Sequence, residues 1–127
     1  MAKVIEQFKN CEYEVPKGWR GLCQELAIKL DKILDTLSEE ERENYELLQV
    51  KEKFGSLRWY DNWHNEEMYQ LIRQYEHKAE RTCCVCGKMA TKVTLGWTIP
   101  FCDECIRKVK TIKIEDLRLE ELDGLQC

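Results

Sequence analysis

The chain has 127 residues, of which 43% are hydrophobic and 35% charged, so it can form one compact domain or a small domain with an appended module. Its formal net charge of −4 argues against the broad basic surface that many nucleic-acid-binding proteins carry. No apolar run is long enough to cross a bilayer, and the start MAKVIEQFKN lacks the apolar stretch of a signal peptide. We therefore expect a cytoplasmic protein without membrane contact.

The first predicted element is a long amphipathic helix. Apolar residues recur every three or four positions from Trp19 to Leu37, which is the period of a helix with one buried face, and Pro16 and Gly18 mark its start. The spacing predicts roughly five turns of helix. We expect the acidic run from Glu39 to Glu43 that follows to be a solvated connection.

The segment YELLQVKEKFGSLRWYDNW changes to the two-residue period of strands. Two strands joined near Gly55-Ser56 fit this pattern, because glycine supplies the positive φ of a tight hairpin. The face predicted to meet the helices carries Val50, Phe54, Leu57 and Trp59. The opposite face carries Lys51, Lys53, Arg58 and Tyr60, and these four are the predicted partner-binding residues.

A second amphipathic helix follows the hairpin. Asn65 is a suitable N-cap, and an apolar stripe runs from Met68 to Ala79. The order of helix, hairpin and helix predicts an α+β fold in which two helices pack on a small antiparallel hairpin sheet. We expect this domain to span residues 1–82, with a zinc-ribbon-like module at 83–110 and a tail at 111–127.

The most specific motif is CCVCGKMATKVTLGWTIPFCDEC. It contains two Cys-x₂-Cys pairs, Cys83 with Cys86 and Cys102 with Cys105, at the separation that zinc modules show. Two residues between thiolates allow a tight turn to aim both sulfurs at one ion, and two such turns complete a tetrahedral site. The intervening residues are predicted to form β structure. We expect one Zn²⁺ ion on these four cysteines.

Other potential ligands fit the zinc site less well. Cys84 and Cys86 are separated by a single residue, which makes a poor chelate loop, and we expect His64 and His77 to be loop and helix residues. Four protein ligands leave no coordination position for water or substrate, so the predicted zinc is structural. The module has few apolar residues, and its folding energy is expected to come from the metal.

No catalytic constellation is evident in the sequence. It contains no glycine-rich phosphate loop, no serine in a nucleophile elbow, and no histidine at motif spacing from a nucleophile. Glu52 and Asp61 flank the predicted turn, but pairing of each with a cation is the more common outcome. We therefore expect no enzymatic activity and no small-molecule substrate.

Several motifs together resemble a group of small bacteriophage and prophage proteins. The shared features are GWRGLCQEL, VKEKFGSLRWY, a helix that ends in Ala79-Glu80, and the cysteine segments CCVCG and GWTIPFCDEC. The resemblance spans residues 18–105, and KEKFGxLR is its most specific part. Two positions depart from the pattern: Cys105 stands where the group often has histidine, and Cys84 where an acidic residue is more usual. The resemblance implies a mobile-element origin and a zinc-stabilised small domain, but no reaction.

Two functions remain open. The first is a protein that binds a macromolecular partner, most plausibly a host or defence-system protein, and modulates or inhibits it. The alternative is a nucleic-acid-binding regulatory protein, in which the basic and aromatic hairpin face and the zinc module contact phosphates and bases. Lysines on the face of a strand also simply keep a sheet soluble, which is the plainer interpretation.

Overall fold

The computed structural model describes residues 3–93 and 99–108. The predicted tail at 111–127 and part of the predicted β segment, 94–98, lie outside these ranges. The described elements, in chain order, are α1 (Val4–Lys9), a 3₁₀ turn (Glu12–Glu14), α2 (Lys17–Leu34), α3 (Glu39–Asn44), β1 (Leu47–Lys53), β2 (Ser56–Asp61), α4 (Glu66–Glu80), β3 (Lys92–Val93), β4 (Pro100–Phe101) and α5 (Asp103–Lys108). The predicted α+β class is confirmed.

The two long helices form where the apolar period predicts them. Helix α2 buries its stripe from Trp19 to Leu34, and α4 buries Met68, Ile72 and Ala79. The predicted N-cap of α4 is present, because the side-chain oxygen of Asn65 accepts a hydrogen bond from the Met68 N–H at 2.8 Å. Helix α4 packs on β2 and on α2, so it links the sheet to the longest helix.

Helix α1 was not predicted, and it fills the space between α2 and β1. Its first N–H groups, those of Val4 and Ile5, donate to the Asp31 carboxylate of α2 at 2.8 and 3.3 Å. Its buried Phe8 stacks on Trp59 of β2, with ring centroids 6.1 Å apart. Asp31 therefore performs across 27 positions of sequence the role that a local N-cap usually performs.

The acidic run predicted to be a solvated connection is instead the short helix α3. Ser38 begins it with a reciprocal capping box: the Ser38 hydroxyl accepts from the Glu41 N–H, and the Glu41 carboxylate accepts from the Ser38 N–H. The residues from Glu39 to Asn44 are all exposed, as expected for the run. The cap, rather than burial, accounts for the helical turn.

Strands β1 and β2 form the predicted antiparallel hairpin, with Val50 opposite Trp59 and Lys51 opposite Arg58. The turn lies one residue earlier than predicted, at Phe54-Gly55, where both residues have positive φ (54° and 83°). This is the pattern of a type I′ turn. It changes the position of Phe54, which was predicted to face the helices and is 53% exposed at the hairpin tip.

A chain of hydrogen bonds fastens the open end of the hairpin. The Trp59 indole Nε1–H donates to the Tyr45 hydroxyl at 3.2 Å, and that hydroxyl donates to Asp61 Oδ2 at 3.0 Å. His64 Nδ1 lies 2.8 Å from the other oxygen of Asp61, whose side chain is only 3% exposed. Burial, with the nearby Asp61 charge, raises the pKa of the Tyr45 hydroxyl, so this hydroxyl stays protonated as a donor.

Candidate functional site

The four predicted metal-binding cysteines converge at one point. The sulfurs of Cys83, Cys86, Cys102 and Cys105 all lie within 4.8 Å of one another, and Cys86 and Cys102 are 3.6 Å apart. All four thiols are free of disulfides, and all except Cys86 are buried. Two Cys-x₂-Cys pairs with 15 residues between them thus form a single cluster of sulfur ligands.

Backbone hydrogen bonds shape the first Cys-x₂-Cys turn. The Cys83 N–H donates to the Lys88 carbonyl at 2.7 Å, and the Gly87 N–H donates to the Cys83 carbonyl at 3.0 Å. Gly87 has a φ of +83°, a conformation that residues with a Cβ rarely adopt. Glycine after the second cysteine therefore lets the backbone fold back toward the first.

The second Cys-x₂-Cys turn begins helix α5. There the Cys105 N–H points at the Cys102 sulfur, at 3.4 Å. This hydrogen bond, with others from the neighbouring thiols, lowers the pKa of Cys102 to about 7. Burial, with hydrogen bonding among the thiols, instead raises the pKa of Cys105. Proton loss is therefore easier at Cys102 than at Cys105, where a bound cation would promote it.

The spacing of the sulfurs matches the needs of a tetrahedral metal ion. A zinc ion bound at about 2.3 Å to each of four sulfurs places those sulfurs about 3.8 Å apart. The Cys86 and Cys102 sulfurs are 3.6 Å apart and no two sulfurs of the cluster are more than 4.8 Å apart, which agrees with that value. The four cysteines can therefore hold a metal ion with only small adjustments of their side chains.

Two short strands bring the halves of the cluster together. Lys92 pairs with Phe101, and Val93 pairs with Pro100, so β3 and β4 run antiparallel between the two Cys-x₂-Cys turns. The Cys84 N–H adds a hydrogen bond to the Pro100 carbonyl at 3.1 Å. The predicted β structure is present at both ends of the intervening segment.

The first Cys-x₂-Cys turn rests directly on the N-terminal end of α2. The Gly18 N–H donates to the Cys84 carbonyl at 2.9 Å, and the Trp19 indole Nε1–H donates to the Thr82 carbonyl at 2.9 Å. A Cβ on Gly18 would lie 2.1 Å from the Cys83 carbonyl oxygen. In the sequence, Gly18 and Trp19 indicate the start of a helix and belong to the GWRGLCQEL motif, but no local signal indicates that they support the cysteine cluster.

Residues that were weighed as alternative ligands lie elsewhere. Cys84 is fully buried and is not among the clustered sulfurs. His64 pairs with Asp61 and stacks on Tyr69, and the ring of His77 lies 3.6 Å from Glu80 on α4.

The two carboxylates that flank the hairpin turn, those of Glu52 and Asp61, do not face each other. Glu52 is opposite Leu57 near the turn, and Asp61 is opposite Leu47 at the far end of the hairpin.

The four predicted partner-binding residues lie together on the outer face of the hairpin. Their positions alternate with those of the buried residues Val50, Leu57 and Trp59. Lys53, Arg58 and Tyr60 are exposed, and Lys51 is half-buried. The Lys51 ammonium lies 5.9 Å from the Tyr60 ring centroid, and the Lys53 ammonium lies at the same distance from the Phe54 ring.

Comparison with known proteins gives no match: no family model, no curated protein and no solved structure is significantly similar to the chain. Within residues 3–93 and 99–108, every helix is too short or too polar to span a bilayer. The candidate function therefore rests on the geometry of the cysteine cluster and of the hairpin face.

Proposed function

We propose that this protein is a small zinc-stabilised binding protein of a phage or mobile element, which acts in the cytoplasm of a bacterial host. It binds a host or defence-system protein and modulates or inhibits it. The observation that carries this proposal is the outer hairpin face, where cations and aromatic rings are held outward by a well-packed scaffold. The resemblance of residues 18–105 to phage and prophage proteins supports the proposed origin.

The proposed metal is one structural Zn²⁺ ion. Sites with four sulfur ligands in a tetrahedron hold zinc or iron, and four protein ligands leave no open position for a reacting group.

Elemental analysis of the purified chain is expected to find one equivalent of zinc. Replacing Cys102 and Cys105 with serine is expected to abolish zinc binding, whereas Cys11→Ser, remote in sequence from the cluster, is expected to retain it. Iron in place of zinc, or no metal at all, would refute the assignment.

The proposed binding face is suited to a protein partner because of its composition. Arginine and tyrosine are among the residues that contribute most to protein interfaces. Among the described residues, Arg58 and Lys53 have no carboxylate partner, so both charges are available to a ligand. Because Val50, Leu57 and Trp59 are packed beneath, this face is ordered before binding and loses little entropy when a partner is bound.

A pull-down from the bacterial host tests this function. The immobilised chain is expected to retain a specific protein, and Tyr60→Ala or Arg58→Glu is expected to abolish its retention. Lys32→Glu, at an exposed position of α2 with no ion pair among the described residues, is the matched charge control and is expected to leave retention unchanged. If no protein is retained, or if the Arg58 and Lys32 variants behave alike, the proposed function is wrong.

The second candidate function is nucleic-acid binding through the same face. The observation that favours it is the pairing of cations with aromatic rings, since phosphate contacts and base stacking use these groups together. Affinity for a single-stranded oligonucleotide would then fall steeply with salt and be lost when Lys51, Lys53 and Arg58 become glutamate. Retention of a host protein that is insensitive to nuclease treatment excludes this alternative as the cause of capture.

A further inference from the structure

A groove of about 830 Å³ lies between the 3₁₀ turn and the outer face of the hairpin. We call it the Leu48 groove, after the exposed aliphatic side chain in its lining. The residues of its lining that matter here are Tyr13, Glu14, Glu46, Leu48, Lys51 and Tyr60. Only Lys51 and Tyr60 belong to the predicted partner-binding set, so the groove extends that surface toward the N-terminal segment.

The groove exposes three large side chains with apolar surface. Tyr13 is 73% exposed, Leu48 56% and Tyr60 40%. The exposure of Leu48 has a specific cause: the register shifts between Leu47 and Gln49, and this bulge turns Leu48 away from the core. Apolar side chains gathered in one groove are typical of a binding surface, whereas single exposed apolar residues are not.

The edge of β1 beside the groove is already occupied. The Leu47 N–H donates to Gln7 Oε1 at 2.7 Å, and the 3₁₀ turn packs against β1. A partner strand therefore cannot extend the sheet at these positions by the usual backbone pairing. A segment bound in the groove has to be recognised through its side chains.

The charges of the groove are separated along the strand. Glu46 lies at the open end of the hairpin and has no cationic partner among the described residues. The Glu14 carboxylate accepts from the neutral Gln49 amide at 3.1 Å, so it lies between Glu46 and Lys51. Lys51 lies five residues after Glu46 and is opposite Arg58. At the rise of a strand, Glu46 and Lys51 are about 15 Å apart.

We infer that the Leu48 groove binds a segment of a partner protein that carries a basic, an apolar and an acidic side chain in that order. The basic side chain pairs with Glu46, the apolar side chain covers Leu48 between Tyr13 and Tyr60, and the acidic side chain meets Lys51 and Arg58. This inference rests on the proposed function and specifies the chemistry of its partner. It disfavours nucleic acid, because phosphates would be repelled by the two carboxylates.

Selection from a displayed library of short random peptides against the full-length chain tests the inference. Selected peptides are expected to share a large apolar residue between a basic and an acidic residue. Leu48→Ser is expected to weaken their binding by about tenfold or more, since removal of a central apolar contact commonly costs that much. Ile28→Ser is the matched control: Ile28 is 47% exposed on α2, outside the groove lining, and its replacement should leave affinity within about twofold.

Charge reversal provides a second readout that does not depend on the hydrophobic contact. Glu46→Lys is expected to weaken the selected peptides and, in a new selection, to replace their basic residue with an acidic one. Peptides without the charge order, equal binding to the Leu48→Ser variant, or failure to select any peptide would overturn the inference. A captured host protein whose binding requires Arg58 but not Leu48 would also overturn it, while leaving the proposed function intact.

Discussion

At the scale of single residues, the contact between Gly18 and the first Cys-x₂-Cys turn tolerates no side chain. Gly18→Ala would place a Cβ 2.1 Å from the Cys83 carbonyl oxygen, so the turn must move away from α2. We expect a loss of about 2 kcal/mol or more in the free energy of unfolding, as for other overpacked contacts. Chemical denaturation measures this loss.

Gly21 in the same helix is the control for Gly18. A Cβ at Gly21 meets no atom within 4 Å, and alanine is favoured over glycine inside a helix. Gly21→Ala is therefore expected to stabilise the protein by about 0.5–1 kcal/mol. Equal effects of the two substitutions would show that the close approach at Gly18 is not important for stability.

Phe54 occupies a backbone conformation that suits it poorly. Its φ of 54° at the first position of a type I′ turn favours asparagine or glycine, and the side chain is half exposed. We expect Phe54→Asn to raise the midpoint of thermal unfolding, with a gain of up to about 1 kcal/mol. Phe54→Val should lower it, because β-branched residues disfavour positive φ; the opposite order would contradict the turn assignment.

The conformation of Phe54 and the contact of Gly18 could not be predicted from the sequence. The turn was placed one residue late because phenylalanine is an unusual choice for positive φ, and Gly55 alone fits either register. The role of Gly18 depends on a contact with residues more than sixty positions away. The cysteines, in contrast, were identifiable from spacing alone, because chelation imposes that spacing on the sequence.

At the scale of elements, α1 depends on the carboxylate of Asp31. Asp31→Ala removes the acceptor for two N–H groups and is expected to destabilise the protein by about 1–2 kcal/mol, while Asp31→Asn keeps one acceptor oxygen and should lose less. Hydrogen exchange of the Val4 and Ile5 amides provides the local measurement. Unchanged protection in the alanine variant would show that α1 is held by packing alone.

The Asp31 carboxyl group also predicts how the stability of the protein changes with pH. Burial raises the pKa of Asp31 above its usual 3.8, so the folded state binds this proton more tightly than the unfolded chain. The stabilising contribution is therefore complete below pH 3.8 and is lost as the pH rises through the raised value. The stability of the wild type relative to Asp31→Asn is expected to fall over that range, and a difference that rises with pH would contradict the shift.

The number of buried apolar residues in each helix explains which helices the sequence predicts. Helices α2 and α4 have long apolar stripes, and their period is visible in the sequence. Helix α1 has only Val4 and Phe8 as buried residues, too few to establish a period, and its cap comes from a distant helix. Helix α3 has no buried residue, but Ser38 and Glu41 form a capping box that the sequence does display.

At the scale of the whole molecule, the cysteine cluster and the hairpin are parts of one continuous core. Removing the proposed metal is expected to affect the end of the core that rests on the cluster. With a chelator, the Trp19 indole N–H, which donates to Thr82, should lose protection from hydrogen exchange. The Trp59 indole N–H, which donates to Tyr45, should stay protected and serves as the internal control.

Two-dimensional NMR resolves these indole signals before and after chelation. Loss of both signals together would show that the molecule unfolds as a single unit, and loss of neither would show that the metal contributes no stability. The domain division at residue 82 is a prediction that the same measurement tests.

The hydrogen bond between Trp19 and Thr82 also constrains the order of events during synthesis. Its partners are 63 residues apart, so at about 5–20 residues per second the ribosome delivers Thr82 roughly 3–13 seconds after Trp19. Until then the N-terminal end of α2 lacks its contacts with Thr82 and Cys84. Closure of the cysteine cluster, which needs Cys102 and Cys105, comes later still. In the nascent chain, capture of the proposed metal is therefore expected to be a late step, which follows the synthesis of the longest helix.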